Sequence, residues 1–555
     1  MFREIQIKNF RGLKDSKQIQ LAPLTVFTGS EGSGKSSIGH FLTMLKQTVD
    51  ASDSGVVMYP GAQDTPISLG TQSSILYNSN RELEFSYRFD LPSYVLMEDP
   101  EKDKFNIPTQ FLFGENIRFH CVLDTIQSKH LSVKQFSYEL YDKNTKVVTA
   151  SIERSTLSTK NKNLTQFAVE TDGYVLKNKT GRPWLQEPPI HFYGFSKDLK
   201  AYYKNAEGLF DLSKSHASKI SNIYYVGTDR NRFTSLHLWS GLRRVDVGHN
   251  GAHAINVLLG AANREISLGD RKRNQPIQDI VKDLLQKLHL IDDMHIENLT
   301  AVEDGYSVKV TARKSKQVVD LNEAGKAVGQ ILPILIQCFC APSNSTIVLD
   351  GIETHLSAQS QALLADILLD VIRSKEDADD RNIQLIVSTH SEVFLRRLQR
   401  RIAEGNIPNS MVSAYYTNNY RRGIDIQSIP LIVGNHLHDL SQYFTFADDD
   451  RHTTIEVAEN LPTLTERTLT KPIKPKPKKV VQKSTRKPGR PKGSKNKPKA
   501  DDGDKPKRGP GRPKGSKNKN SKPTEIRTAK DAKPKQKKEN NRANRLKNRH
   551  ARKPD

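Results

Sequence analysis

The chain has 555 residues, room for two or three domains, and a net charge of +24 that comes from one end. From Lys471 onward lie 33 of the 86 Lys and Arg but 7 of the 62 Asp and Glu; the residues before it hold 53 basic and 55 acidic side chains, a near-neutral body ahead of a polycationic tail. Three cysteines (Cys121, Cys338, Cys340) are too few for a disulfide framework, and no apolar run approaches the ~20 residues of a membrane span. The expectation is a soluble, cytoplasmic protein with no membrane contact and buried thiols.

The N-terminus reads as strands over 2–7 and 17–21, joined by an Asn9-Phe10-Arg11-Gly12 turn, with no signal peptide ahead of them. Residues 24–28 (Leu-Thr-Val-Phe-Thr) have the β-branched and aromatic content of a buried strand. Directly after comes Gly29-Ser30-Glu31-Gly32-Ser33-Gly34-Lys35-Ser36, the G-x-x-x-x-G-K-S pattern, followed by Ser37 and a helix with Ile38, Phe41, Leu42 and Leu45 on one face. Glycines turn backbone N–H groups inward, and a helix N-terminus adds partial positive charge, so the stretch is built to cradle phosphates. Lys35 is expected to reach the β- and γ-phosphates of ATP, and the Ser36 hydroxyl to bind Mg²⁺.

Residues 51–222 carry short alternating segments, 82–89 and 118–123 among them, which predict antiparallel strands with hairpin tips in the Lys- and Asn-rich stretches 142–163 and 177–182. Ile277, Ile280, Val281, Leu284, Leu285 and Leu288 predict one amphipathic helix over 276–296, followed by strands to Val319. Asn322-Glu323-Ala324-Gly325-Lys326-Ala327-Val328-Gly329-Gln330 then leads into an apolar helix over 331–340; its glycines either bring a helix N-terminus to phosphate or cap a core helix. Residues 346–350 (Thr-Ile-Val-Leu-Asp) form a continuous apolar strand ending in a carboxylate, Asp350, at the edge where such sheets bind ligands. A second such strand, 383–388, ends in Thr389-His390-Ser391.

These segments together resemble the RecF/SMC/OLD branch of ABC-like AAA-family ATPases, members of which open with a strand, an "NFR/K" turn and a second strand before the phosphate loop. Tyr224-Tyr225-Val226-Gly227-Thr228-Asp229-Arg230 and Val247-Gly248-His249-Asn250-Gly251 are similar to the "YLGPxR … VGxxG" segments of AAA_21-type ATPases, with Thr228 at the usual proline. The resemblance implies Asp350 and Ser36 as metal residues, Glu353 as the residue that polarises water, and His390 as the γ-phosphate switch. It also implies that Gly325 and Gln330 match the signature that closes on the ATP of another subunit, with Ala327 at the second glycine. Residues 351–361 resemble "E-x-P-E-x-H-L-H-P-x-x-Q", but Gly351 stands directly after Asp350, where many ABC-type ATPases place a glutamate. Gln72 is either the metal-contacting glutamine of such proteins or a surface residue, and Arg230 either meets a phosphate or forms a structural salt bridge.

From Lys471 the composition turns to Lys, Arg, Pro, Gly, Asn and Ser, which predicts disorder. Residues 488–497 (Pro-Gly-Arg-Pro-Lys-Gly-Ser-Lys-Asn-Lys) recur identically at 510–519. Each copy is an AT-hook pattern, with cores at Gly489, Arg490, Pro491, Lys492 and at Gly511, Arg512, Pro513, Lys514. A slim Gly-Arg-Pro core fits a minor groove about 6 Å wide, and A·T tracts narrow that groove and deepen its negative potential. The alternative for such a tail is nonspecific nucleic-acid binding or a localisation signal.

The expected fold is therefore α/β: a P-loop NTPase ABC-type head, with a mixed β-sheet, flanking helices and an antiparallel β insertion, followed by a disordered basic tail. Expected boundaries are 1–50 and 223–468 for the two halves of the head, 51–222 for the β insertion and 469–555 for the tail. The expected activity is hydrolysis of ATP with Mg²⁺, on or near A·T-rich double-stranded DNA, in repair, maintenance or defence against mobile DNA. An ATP-dependent homodimer, a nucleoid location and a separately encoded effector such as a nuclease complete the expectation. The alternative is a nucleotide-gated DNA-binding scaffold with little turnover.

Overall fold

In the computed structural model the strand that feeds the glycine-rich loop, Leu24–Thr28, lies inside a six-stranded sheet with all five residues buried. The sheet runs Ile223–Val226, Thr346–Asp350, Gln384–Ser388, Leu24–Thr28, Val412–Tyr420, Gly423–Ile429. The first five are parallel and the last is antiparallel. The structure describes residues 1–444 except 54, 98–111, 126–129, 160–161, 175, 177, 180, 182–183, 205, 231–232, 240, 270–272, 421 and 434–435. The chain divides into units Met1–Thr463 and Leu464–Asp555; the second unit, with both of the expected AT-hook cores, lies outside the described residues.

Strand alternation gives the parallel sheet two cores. Leu24, Val26, Ile347, Leu349, Leu385 and Val387 point into one cluster, packed by helices Ile277–Lys287, Lys326–Cys340, Ala358–Ile372 and Glu392–Ala403. Phe27, Val348, Ile386 and Tyr415 point into the other, packed by helices Ser37–Val49 and Glu207–Ser221 and by a second, nine-stranded sheet. Burial on both faces is why these strands read as unbroken apolar runs.

The nine-stranded sheet holds the antiparallel strands expected from 51–222: Glu82–Met97, Leu112–Asp124, Ser132–Asp142, Thr145–Thr159 and Lys162–Asp172 follow one another as neighbours. Asp142 pairs with Thr145 across a tip at Lys143, whose φ is +53°. The first strand, Phe2–Phe10, belongs to this sheet and pairs with Glu82–Met97. The phosphate-loop strand thus enters a different sheet from the strands just before it.

One helix expectation is corrected. The helix expected over 276–296 ends at Lys287, and Ile291–Asn298 is a strand paired with Gly305–Ala312. Leu288 and Ile291 extend the helical spacing, but His289 takes φ +62°, which ends the helix. Pairing with Val308 and Val310 then overrides the local pattern.

Candidate functional site

The loop after Leu24–Thr28 is held by the neighbouring strand Val412–Tyr420. The Thr417 hydroxyl donates to the Thr28 carbonyl at 3.1 Å and lies 2.8 Å from the Ser33 hydroxyl, and the Asn419 amide donates to the Gly32 carbonyl at 3.3 Å. Close approach explains two of the glycines. A Cβ at Gly29 would lie 2.2 Å from the Thr417 carbonyl oxygen, and one at Gly34 2.3 Å from Ile424 Cδ1. Gly32 has φ +68° and open space around it, so its requirement is conformational. Ser30 and Glu31 are exposed at the rim.

Lys35 is buried and folds back over the loop, its Nζ donating to the carbonyls of Ser30 at 2.6 Å and Gly29 at 3.2 Å. Burial lowers its pKa, while Glu353, Glu31 and Asp350 draw it the other way. Ser36 occupies the N-cap of Ser37–Val49 and spends no side-chain hydrogen bond on capping, which leaves its hydroxyl for a ligand.

Register brings the remaining residues to the same edge. Asp350 pairs with Ser388, and Ser388 with Phe27, so three strand ends align beside the loop. Asp350 is 2% exposed. Burial disfavours its charge, but contacts to His40, Ser388 and Tyr225 outweigh that and hold its carboxyl below the usual range. Its Oδ2 takes both contacts, at 3.2 Å from His40 Nε2 and 3.0 Å from the Tyr225 hydroxyl; its buried Oδ1 has no hydrogen-bond partner. An Asp350 oxygen without a well-formed hydrogen bond and a Ser36 hydroxyl not engaged in capping are hard oxygen donors that fit a hydrated Mg²⁺.

Gly351 takes φ +58° and turns the chain, so that Glu353 comes back to the end of Gln384–Ser388. Glu353 Oε2 accepts from the Thr389 hydroxyl at 2.8 Å, and Oε1 from the His390 backbone N–H at 2.7 Å. The sequence-predicted Glu353 and His390 are thus in contact, and the His390 side chain is exposed at the sheet edge.

Among the described residues Arg230 forms no ion pair with a carboxylate. Its guanidinium donates to the carbonyls of Gly227, Asp350 and Gly351, clasping the turn after Asp350, and burial lowers its pKa to about 10. Gly325 caps Lys326–Cys340 with φ −54° and ψ 149°, and the Gln330 amide donates to the Arg230 carbonyl at 3.2 Å while its Oε1 is buried without a partner. Arg230, Gly325, Gln330 and His355 line one cavity of about 630 Å³. Gln72 bridges backbone groups, donating to Met58 and accepting from Leu131, so both ends of its amide are committed.

His40 escaped the sequence reading, and so did the hydroxyl contacts of Thr389 and Tyr225. The signal for His40 was present, since it stands four residues after Ser36 on one helix face. Tyr225 and Thr389 carry no local signal for contacts made across strands.

Residues 1–395 match the family model described as AAA ATPase domain. No curated protein matches the chain. Among solved structures, an SMC head bound to the C-terminal winged-helix domain of ScpA is 12% identical, covers 78% of this chain and 98% of its own, and has a TM-score of 0.37. The SMC head domain from Thermotoga maritima is 10% identical, with 77% and 99% covered and a TM-score of 0.33. The family match spans most of the chain and contains the phosphate loop, Asp350 and His390: this protein belongs to the AAA ATPase domain family and is an ATPase.

Proposed function

We propose that the loop formed by Gly29, Ser30, Glu31, Gly32, Ser33, Gly34, Lys35, Ser36 and Ser37 binds the phosphates of ATP, and that Asp350, Glu353 and His390 complete the hydrolytic site. The observation that carries this reading is the alignment of three strand ends beside a buried lysine that only backbone carbonyls engage. Lys35 exchanges those carbonyls for the β- and γ-phosphates. Ser36 and Asp350 hold Mg²⁺, which neutralises developing phosphate charge when bound. Glu353 orients and polarises the attacking water, and His390 meets the γ-phosphate. The Glu353 contacts to Thr389 and the His390 N–H couple the base to the switch.

Gly325 and Gln330 face the ATP of a second copy, so nucleotide joins two heads and hydrolysis releases them. The exposed Gly325 at a helix N-terminus supports this arrangement. The tail delivers the ATPase to A·T-rich duplex through Gly489, Arg490, Pro491 and Lys492 and through Gly511, Arg512, Pro513 and Lys514. The duplicated ten-residue core supports this part, because ~20 residues between cores span about 60 Å when extended and let two hooks act as one binder. Repair, replicon maintenance and defence against mobile DNA all suit such a protein, as does a separately encoded effector.

The test is phosphate release from ATP by the full chain with Lys35→Ala as control. Release that depends on Lys35 and on Mg²⁺ is expected; release unaffected by the substitution would sink the assignment. For the tail, competition between A·T-rich and G·C-rich duplexes decides, and equal affinity for the two refutes the hooks.

A further inference from the structure

The acid at the end of Thr346–Asp350 is gripped by two side chains from other elements. Tyr225 and Val348 are register partners on parallel strands, so Tyr225 and Asp350 project from the same face of the sheet. Helix Ser37–Val49 crosses that face and brings His40 to it. The Tyr225 hydroxyl and His40 Nε2 are 3.4 Å apart, and both contact the same oxygen, Asp350 Oδ2, at 3.0 and 3.2 Å. Their rings meet edge to face at 5.9 Å, which fixes the pair.

The consequence lies in the other oxygen. Asp350 Oδ1 is buried and unpartnered, and a buried acceptor left without a donor is costly. Two contacts converge on Oδ2, while Oδ1 makes no hydrogen bond of good geometry and has only the Ser388 side chain of the adjoining strand near the carboxylate, so the group is held in one orientation.

We propose that Tyr225 and His40 are positioning residues of the metal site: they occupy Oδ2 and so present Oδ1, in one orientation, to a divalent cation and its waters beside Ser36. This rests on the reading of Asp350 as the metal acid. Partners that orient a metal ligand typically set metal affinity by about 10- to 100-fold.

The test uses Mn²⁺ as a spin probe for the metal, titrated into the full chain with a non-hydrolysable ATP analogue. Nucleotide affinity is measured in parallel in EDTA. Tyr225→Phe and His40→Leu are each expected to weaken Mn²⁺ binding about tenfold or more while leaving nucleotide affinity in EDTA unchanged. His40→Gln, whose amide can donate to the same oxygen, is expected to keep most of the Mn²⁺ affinity. Unchanged Mn²⁺ binding in Tyr225→Phe and His40→Leu, with loss in Asp350→Asn, overturns the proposal and leaves the Asp350 reading standing. Unchanged binding in Asp350→Asn overturns that reading and the proposal with it. Equal losses of Mn²⁺ and of metal-free nucleotide affinity overturn the proposal in favour of a structural role.

Discussion

At the residue scale, Gly351 is a departure with a backbone cause. Its φ of +58° lies where L-residues are strained, and a Cβ there would sit 2.6 Å from the Thr228 methyl carbon. The glutamate that many ABC-type proteins carry at this position has no room, and the tight turn carries Glu353 back to Thr389 and His390 instead. Gly351→Ala should destabilise the protein by about 1–3 kcal/mol, read as a fall in thermal midpoint. Gly351→Glu should not raise phosphate release; a faster enzyme would contradict this account of the turn. Glu353→Gln should cut phosphate release by about 10²- to 10⁴-fold, the usual range for a general base, with ATP binding retained. The loop, Asp350 and His390 were legible because each follows a local pattern of strand and punctuation. Glu353 was singled out through resemblance, and its reach depends on a left-handed turn that a glycine at 351 permits but spacing does not encode.

At the element scale, the helices behind the sheet are pinned by one carboxylate. Asp366, on Ala358–Ile372, accepts from Arg397 and Arg401 on Glu392–Ala403, at 2.7 Å each for the closest contacts. Burial raises its pKa, but the Arg401 and Arg397 hydrogen bonds outweigh this and bring it down to about 2. A depressed folded-state pKa stabilises above the unfolded value, near 4, and the gain is lost as pH falls through about 2. Asp366→Asn should therefore cost about 1–2 kcal/mol at neutral pH, after allowance for solvent screening, and the difference from wild type should vanish near pH 2. Urea unfolding of the two proteins across that window checks the sign. Ser357 and Ser391 cap the two N-termini as such residues do. The segment after Lys287 was misread because a helical repeat of leucines continues past the point where His289 reverses the chain.

At the scale of the whole molecule, charge is segregated: a near-neutral body carries the nucleotide chemistry, and the tail carries all of the excess positive charge. Deleting 471–555 should leave phosphate release intact while abolishing the proposed preference for A·T-rich duplex. The full-length protein's DNA affinity should fall steeply with salt as counterions are reabsorbed, and the truncated protein should lose that slope. Filter binding at two salt concentrations, on both duplexes, reads both effects.

Sequence alone determined what is local in the chain. The glycine spacing, the apolar strands with their terminal Asp and His, and the duplicated hook core each rest on neighbouring residues with a fixed period. Tertiary structure decided what depends on register between distant strands. It set Phe2–Phe10 in the antiparallel sheet and spent Arg230 on backbone carbonyls. It also closed His40 and Tyr225 on one oxygen of Asp350, leaving the other free. The reason is physical: hydrogen bonds across a sheet depend on which residues are opposite, and a chain read in one dimension does not contain that pairing.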